Sequence, residues 1–197
     1  MWSRVPEAVQ AGASSAVKEA QYKAVSKAMR QFFAKYDLSP EGRMTTIASY
    51  LNLAFGYMLF VGFYVVRDQD VLEVGPYQGP LIACGQIACG KGVCGAAAAQ
   101  RCTQVVDDVT KIENYIACDE ETRSEIVVPV THPVTGDLHS VLDIDSASVA
   151  AFDEVDRACL ERIVQEFVFQ PSTMAAASQA PPAKRKATDS SAGAASA

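Results

Sequence analysis

The stretch LNLAFGYMLFVGFYVV, Leu51–Val66, decides between two kinds of protein. It carries no charge, and on its own it looks like a membrane span. It is, however, shorter than the ~20 residues a spanning helix needs, and Asn52, Gly56 and Gly62 interrupt it. The reading that fits is the end of a core helix running into a fully buried strand. That choice makes the chain an α+β domain rather than a membrane protein.

The segments on either side agree. Upstream, Ser14 to Tyr36 has the spacing of an amphipathic helix, with Val17, Ala20, Ala24, Met29, Phe32, Phe33 and Tyr36 as its apolar stripe. DLSPEG breaks it. Ser39 suits an N-cap, Pro40 the first helical position and Glu41 the first turn of a second helix reaching about Met58. Downstream, LFVGFYVV, VLEVGPY and LIACGQIA read as strands, with RDQD as a turn between the first two. GVCGAAAAQR reads as a short helix and TQVV as a brief strand. VTKIENYIACDEETRS is a long connection, a type of segment that often carries function. EIVVPVTH and LHSVLDIDS are strands around the hairpin turn PVTGD, and FDEVDRACLERIVQEFVF is a closing helix capped by Asp153. On that helix Val155, Cys159, Ile163 and Phe167 share one face. The expected organisation is an arm over residues 1–13, one domain over 14–170 and a disordered Ala/Ser/Pro-rich tail over 171–197.

The bulk numbers narrow the function. The 197 residues are 49% hydrophobic and 20% charged, with a net charge of −6. Lys184, Arg185, Lys186 and Asp189 give the tail +2, so the body carries −8, which argues against binding nucleic acid through its phosphates. The opening MWSRVPEAVQ has no apolar h-region, so no secretory signal is expected and the default compartment is the reducing cytosol. Six cysteines there are core thiols, metal ligands or redox groups rather than structural bridges.

Three of them, Cys84, Cys89 and Cys94, recur in IACGQIACGKGVCG. Gly85, Gly90 and Lys91 almost form a phosphate loop, but Gly92 stands where a magnesium-binding hydroxyl is required. The spacing matches no paired zinc knuckle, and the two histidines, His132 and His139, flank the hairpin turn, where surface placement is expected. Cys159 belongs to an apolar stripe, and Cys102 has no polar cluster to activate it. Cys118 differs from both, because it sits within the polar connection IACDEETRSE, where a core thiol has little reason to be. Asp119, Glu120 and Glu121 follow it and would raise its pKa. In VLDIDS, Asp143 and Asp145 point to one face of a strand and Leu142 and Ile144 to the other. Glu125 begins the neighbouring strand. Buried carboxylates need a counter-charge, so these acids either face water or await a cation: a metal, a lysine or a ligand ammonium.

VGFY, GPYQG, IAC…GKGVCG, IACD, SEIVVP and VLDIDS occur in this order between Ala54 and Phe169. Together they resemble the free methionine-(R)-sulfoxide reductases, single-domain GAF proteins. The resemblance implies a central antiparallel sheet with helices on its faces and a ligand pocket under loops. It implies reduction of free L-methionine-(R)-sulfoxide as a protection against oxidative stress. No cofactor is bound; electrons come from thioredoxin, with thioredoxin reductase and NADPH behind it. It further implies Cys118 as nucleophile, Cys84 as resolving thiol and Cys94 as auxiliary thiol. Glu125, Asp143 and Asp145 hold the substrate and assist proton delivery. The family has Asn-Trp before Val-Gly-Phe-Tyr; here Leu59 and Phe60 stand there, and Phe60 would offer its ring to the substrate methyl. A cytoplasmic homodimer is the implied assembly. The rival readings are a sensory GAF module that binds a small molecule without chemistry, and a zinc-stapled interaction domain.

Overall fold

The computed structural model describes residues 5–68, 71–80, 82–112, 115 and 120–169. Cys118, part of the RDQD turn and the tail lie outside the described residues. Leu51–Val66 is a helix end followed by a strand: α2 (Pro40–Ala54) stops, and β1 (Phe60–Asp68) begins six residues later with Phe60 to Tyr64 all buried. Among the described residues no helix is long and apolar enough to cross a membrane.

The other elements are α1 (Ser15–Phe33), β2 (Val71–Gln78), β3 (Gln86–Ala88), α3 (Gly92–Gln100), β4 (Gln104–Val106), β5 (Ser124–Thr131), β6 (Leu138–Ser146) and α4 (Glu154–Phe167). The strands form one antiparallel sheet in the order β3-β2-β1-β6-β5-β4. α2 and α4 pack on one face of it, and α1 lies on those two helices. That face is the main core, with Ile47, Leu51, Phe63, Ile126, Leu142 and Ile144 fully buried. Each such side chain contributes ~1.5–3 kcal/mol. Among the described helices α3 covers the opposite face, over Tyr64, Val127 and Val141. The fold is α+β with a sheet core, as expected.

Four details depart from the sequence reading. α2 ends at Ala54 rather than near Met58, because Phe55 turns extended and pairs with Val9 of the N-terminal segment, while the Gln21 amide donates to the Ala54 carbonyl at 2.9 Å. The buried face of α1 is Lys18, Gln21, Tyr22, Val25 and Met29, and Val17 is exposed. Lys18 and Tyr22 turn inward because both bind the buried Asp156 carboxylate of α4. LIACGQIA contributes only three residues to the sheet, and Ile82 is 88% exposed. His132 and His139 are half-buried rather than on the surface, since both rings pack on Phe169 at 4.8 and 5.1 Å.

The caps held. Ser39 accepts from the Gly42 amide, and Asp153 forms a reciprocal capping box with Asp156.

Candidate active site

The register of β1, β6 and β5 brings the predicted acids together. Glu125 lies opposite Asp145, and Val127 opposite Asp143. On the other flank of β6, Phe60 lies opposite Asp145 and Gly62 opposite Asp143. All these side chains share the α3 face. Leu142 and Ile144 go to the main core, as the alternation requires. Glu125, Asp143 and Asp145 are each only 5–6% exposed.

α3 closes the site from above. Its first turn brings Cys94 against the acids, with Sγ 4.0 Å from Glu125 Oε1. The helix can come this close because residue 95 has no side chain: a Cβ there would sit 2.4 Å from the Ala88 carbonyl oxygen. Gly62 has the matching role beneath, since a Cβ on it would meet the Phe60 ring at 2.5 Å. Phe60 therefore lies along the sheet, stacked near Tyr77 at 5.4 Å, beside the acids rather than on the pocket wall.

The cavity is narrow, about 20 Å³, and is lined by the three acids, Cys94, Tyr115, Ile87, Lys91, Gly92 and Val93. That is well below the size of ordinary ligand sites, roughly 300–1,000 Å³. Lys91 and Tyr115 were not singled out by the sequence. Lys91 had appeared only as part of a failed phosphate loop; the structure puts it at the mouth of an acidic pocket. Tyr115 lies in the long connection, and no periodicity flagged it.

The electrostatics follow from burial. Glu125 is pushed well above the ordinary carboxylate range by desolvation first, then by the charges of Asp143 and Asp145. Desolvation raises Asp143 to about 6, offset in part by hydrogen bonds with Cys94 and Glu125. A hydrogen bond between two carboxylates requires a shared proton. The Tyr115 hydroxyl also hydrogen-bonds Glu125. Burial, then the charges of Asp143 and Glu125, push the Cys94 thiol up, so it is no ready nucleophile. Asp143 Oδ1 is buried with no hydrogen-bond partner among the described residues.

Cys84 is disulfide-bonded, while Cys89, Cys94, Cys102 and Cys159 are not in disulfides. Cys159 is a core thiol on α4 and Cys102 is exposed, so neither joins the site. The predicted nucleophile, Cys118, lies outside the described residues.

No family model matches the chain. Over 108 residues it is 45% identical to the free methionine-R-sulfoxide reductase of Saccharomyces cerevisiae, covering 54% of this chain and 59% of that protein. It is 39% identical over 122 residues to GAF domain-containing protein A of Dictyostelium discoideum, covering 62% of this chain and 75% of that one. Among solved structures, free methionine-R-sulfoxide reductase from Neisseria meningitidis in complex with its substrate aligns with a TM-score of 0.70 at 38% identity, covering 81% of this chain and 92% of that chain. The match spans less than two thirds of the yeast protein's length. Fold and pocket together define a GAF-domain protein. More narrowly, the chain belongs to the free methionine-R-sulfoxide reductase family.

Proposed function

We propose that this protein reduces free L-methionine-(R)-sulfoxide to L-methionine, using Cys118 as nucleophile and Cys84 as resolving thiol. The observation that carries the reading is the set of three buried carboxylates with an unpartnered oxygen, in a pocket whose mouth holds Lys91. A free amino acid complements that arrangement, its ammonium meeting the acids and its carboxylate meeting Lys91. The amide nitrogen of a methionine within a peptide carries no such charge.

The chemistry needs a nucleophile and an acid together. Cys118 attacks the electrophilic sulfur while the sulfoxide oxygen accepts a proton. Glu125 is the acid placed to hold that proton, because burial and then its two acid neighbours push it well above the ordinary carboxylate range. Asp143 and Asp145 orient the ammonium. Transfer of oxygen to sulfur releases methionine and leaves Cys118 as a sulfenic acid. The Cys84 thiol then condenses with it, losing water and forming a disulfide. The disulfide at Cys84 supports this pairing. An external dithiol of the thioredoxin type reopens it by exchange, each turnover oxidising one dithiol. Cys94, buried and free, stands in reserve as a second exchanging thiol. No bound cofactor is called for. A reducing cytoplasm and a homodimer complete the proposal, with repair of oxidised methionine as the physiological role.

The test is NADPH consumption coupled through thioredoxin reductase and thioredoxin. Turnover of the free R epimer, absent with the S epimer and abolished in Cys118→Ser, supports the reductase. Tight binding of the amino acid without turnover would instead indicate a sensory GAF module.

A further inference from the structure

We propose that Cys94, Glu125 and Asp143 also form a binding site for one thiophilic divalent cation of the zinc class, which competes with the substrate ammonium for the pocket. One ligand atom from each of the three lies within 4.8 Å of the others. A tetrahedral zinc bound at ~2.0–2.3 Å holds its ligands roughly 3.5 Å apart, so the cluster has to contract by only about an ångström. The ligands come from three regular elements, α3, β5 and β6, which suits a defined site better than loops do.

Asp143 gives the second, independent observation. Its carboxylate is 6% exposed and lines the pocket, and Oδ1 has no partner among the described residues. A buried carboxylate oxygen left in that state is costly until a cation arrives. The donor set then chooses among cations. A thiolate with two carboxylates favours zinc over magnesium or calcium, which prefer all-oxygen cages. Tyr115 hydrogen-bonds Glu125, as an outer partner steadies a metal ligand. Three protein ligands leave a fourth position facing the pocket. Cysteine spacing in the sequence could not reveal this site, because it takes only one cysteine and draws its other ligands from strands.

The binding half of the proposal stands on the cluster alone; the competition half rests on the proposed function of the pocket. Both are tested on chelator-treated protein with the Cys84 disulfide intact, so that the resolving thiol cannot bind metal. Cobalt(II) is titrated as a spectroscopic stand-in for zinc, followed by its thiolate charge-transfer band, with zinc affinity measured by calorimetry. The expected result is one equivalent bound, weakened about 100-fold or more in Cys94→Ser and in the near-isosteric Asp143→Asn, and unchanged in the exposed-site variant Cys102→Ser. Far-UV circular dichroism checks that each variant is folded. No uptake, or uptake indifferent to Cys94→Ser, overturns the metal site. Free methionine should displace the cobalt. Cobalt that methionine cannot displace overturns the competition, and with it the placing of the amino acid in this pocket, while the metal site stands.

Discussion

Two groups of buried carboxylates sit on opposite faces of one sheet, and they are treated in opposite ways. Asp156, fully buried on α4, accepts hydrogen bonds from the Tyr22 and Tyr57 hydroxyls at 2.8 and 2.7 Å, from Lys18 and from the Asp153 amide. Glu125, Asp143 and Asp145 are about as well buried but crowd one another beside a high-pKa thiol and a tyrosine, and Asp143 Oδ1 has no hydrogen-bond partner among the described residues. The first cluster fastens α1 to α4 and to the link between α2 and β1. The second leaves at least one buried oxygen, on Asp143, for a cation to meet. A buried acid therefore signals structure where its donors are built in, and function where they are withheld.

The sharpest way to break this contrast is to cut each cluster. Asp156→Ala removes the buried partner of Lys18, leaving it the more exposed Asp153, and orphans two hydroxyls, so it should cost about 3 kcal/mol in urea denaturation. A loss under about 1 kcal/mol would dissolve the comparison. Asp143→Asn should do the reverse. The folded protein holds the Asp143 pKa near 6, above its ordinary 3.8, so the wild type loses stability as pH climbs from about 4 to 6. The variant escapes that loss. In metal-free buffer it should match the wild type near pH 4 and exceed it by up to about 3 kcal/mol above pH 6, while losing sulfoxide turnover. A variant less stable at pH 7 would show that the site is satisfied after all. Tyr57→Phe is the milder cut. It removes one of the donors to Asp156 and should cost about 1.5–3 kcal/mol, with KM unchanged.

Lys91→Ala has the smallest expected effect. Lys91 is exposed, so the KM for free methionine sulfoxide should rise only a few-fold, with no change in melting temperature. An unchanged KM would remove Lys91 from substrate recognition.

The two clusters were not equally legible in the sequence. VLDIDS displayed its paired acids outright, because strand alternation is local, and Glu125 followed from the strand next door. The Asp156 cluster was invisible, because Lys18 and Asp156 are 138 residues apart and a lysine on a helix reads as a solvated residue. That hidden contact also rotated α1 away from its expected stripe. Asp153 was legible as a cap because capping is local as well. LIACGQIA was misread because an apolar run does not say whether an edge will accept it; β2 pairs with only three of its residues. Gly95 is explained only by the Ala88 carbonyl that lies against it in three dimensions.

The central claim is that the three pocket acids exist to hold a free ammonium. The most direct test compares turnover of free L-methionine-(R)-sulfoxide with that of its N-acetyl derivative, which keeps the sulfoxide and the carboxylate but loses the charge. Pairing worth about 3–5 kcal/mol predicts a preference in kcat/KM of roughly 10²–10³-fold for the free amino acid. Equal turnover of the two would contradict the claim and leave the three carboxylates without a cation to meet.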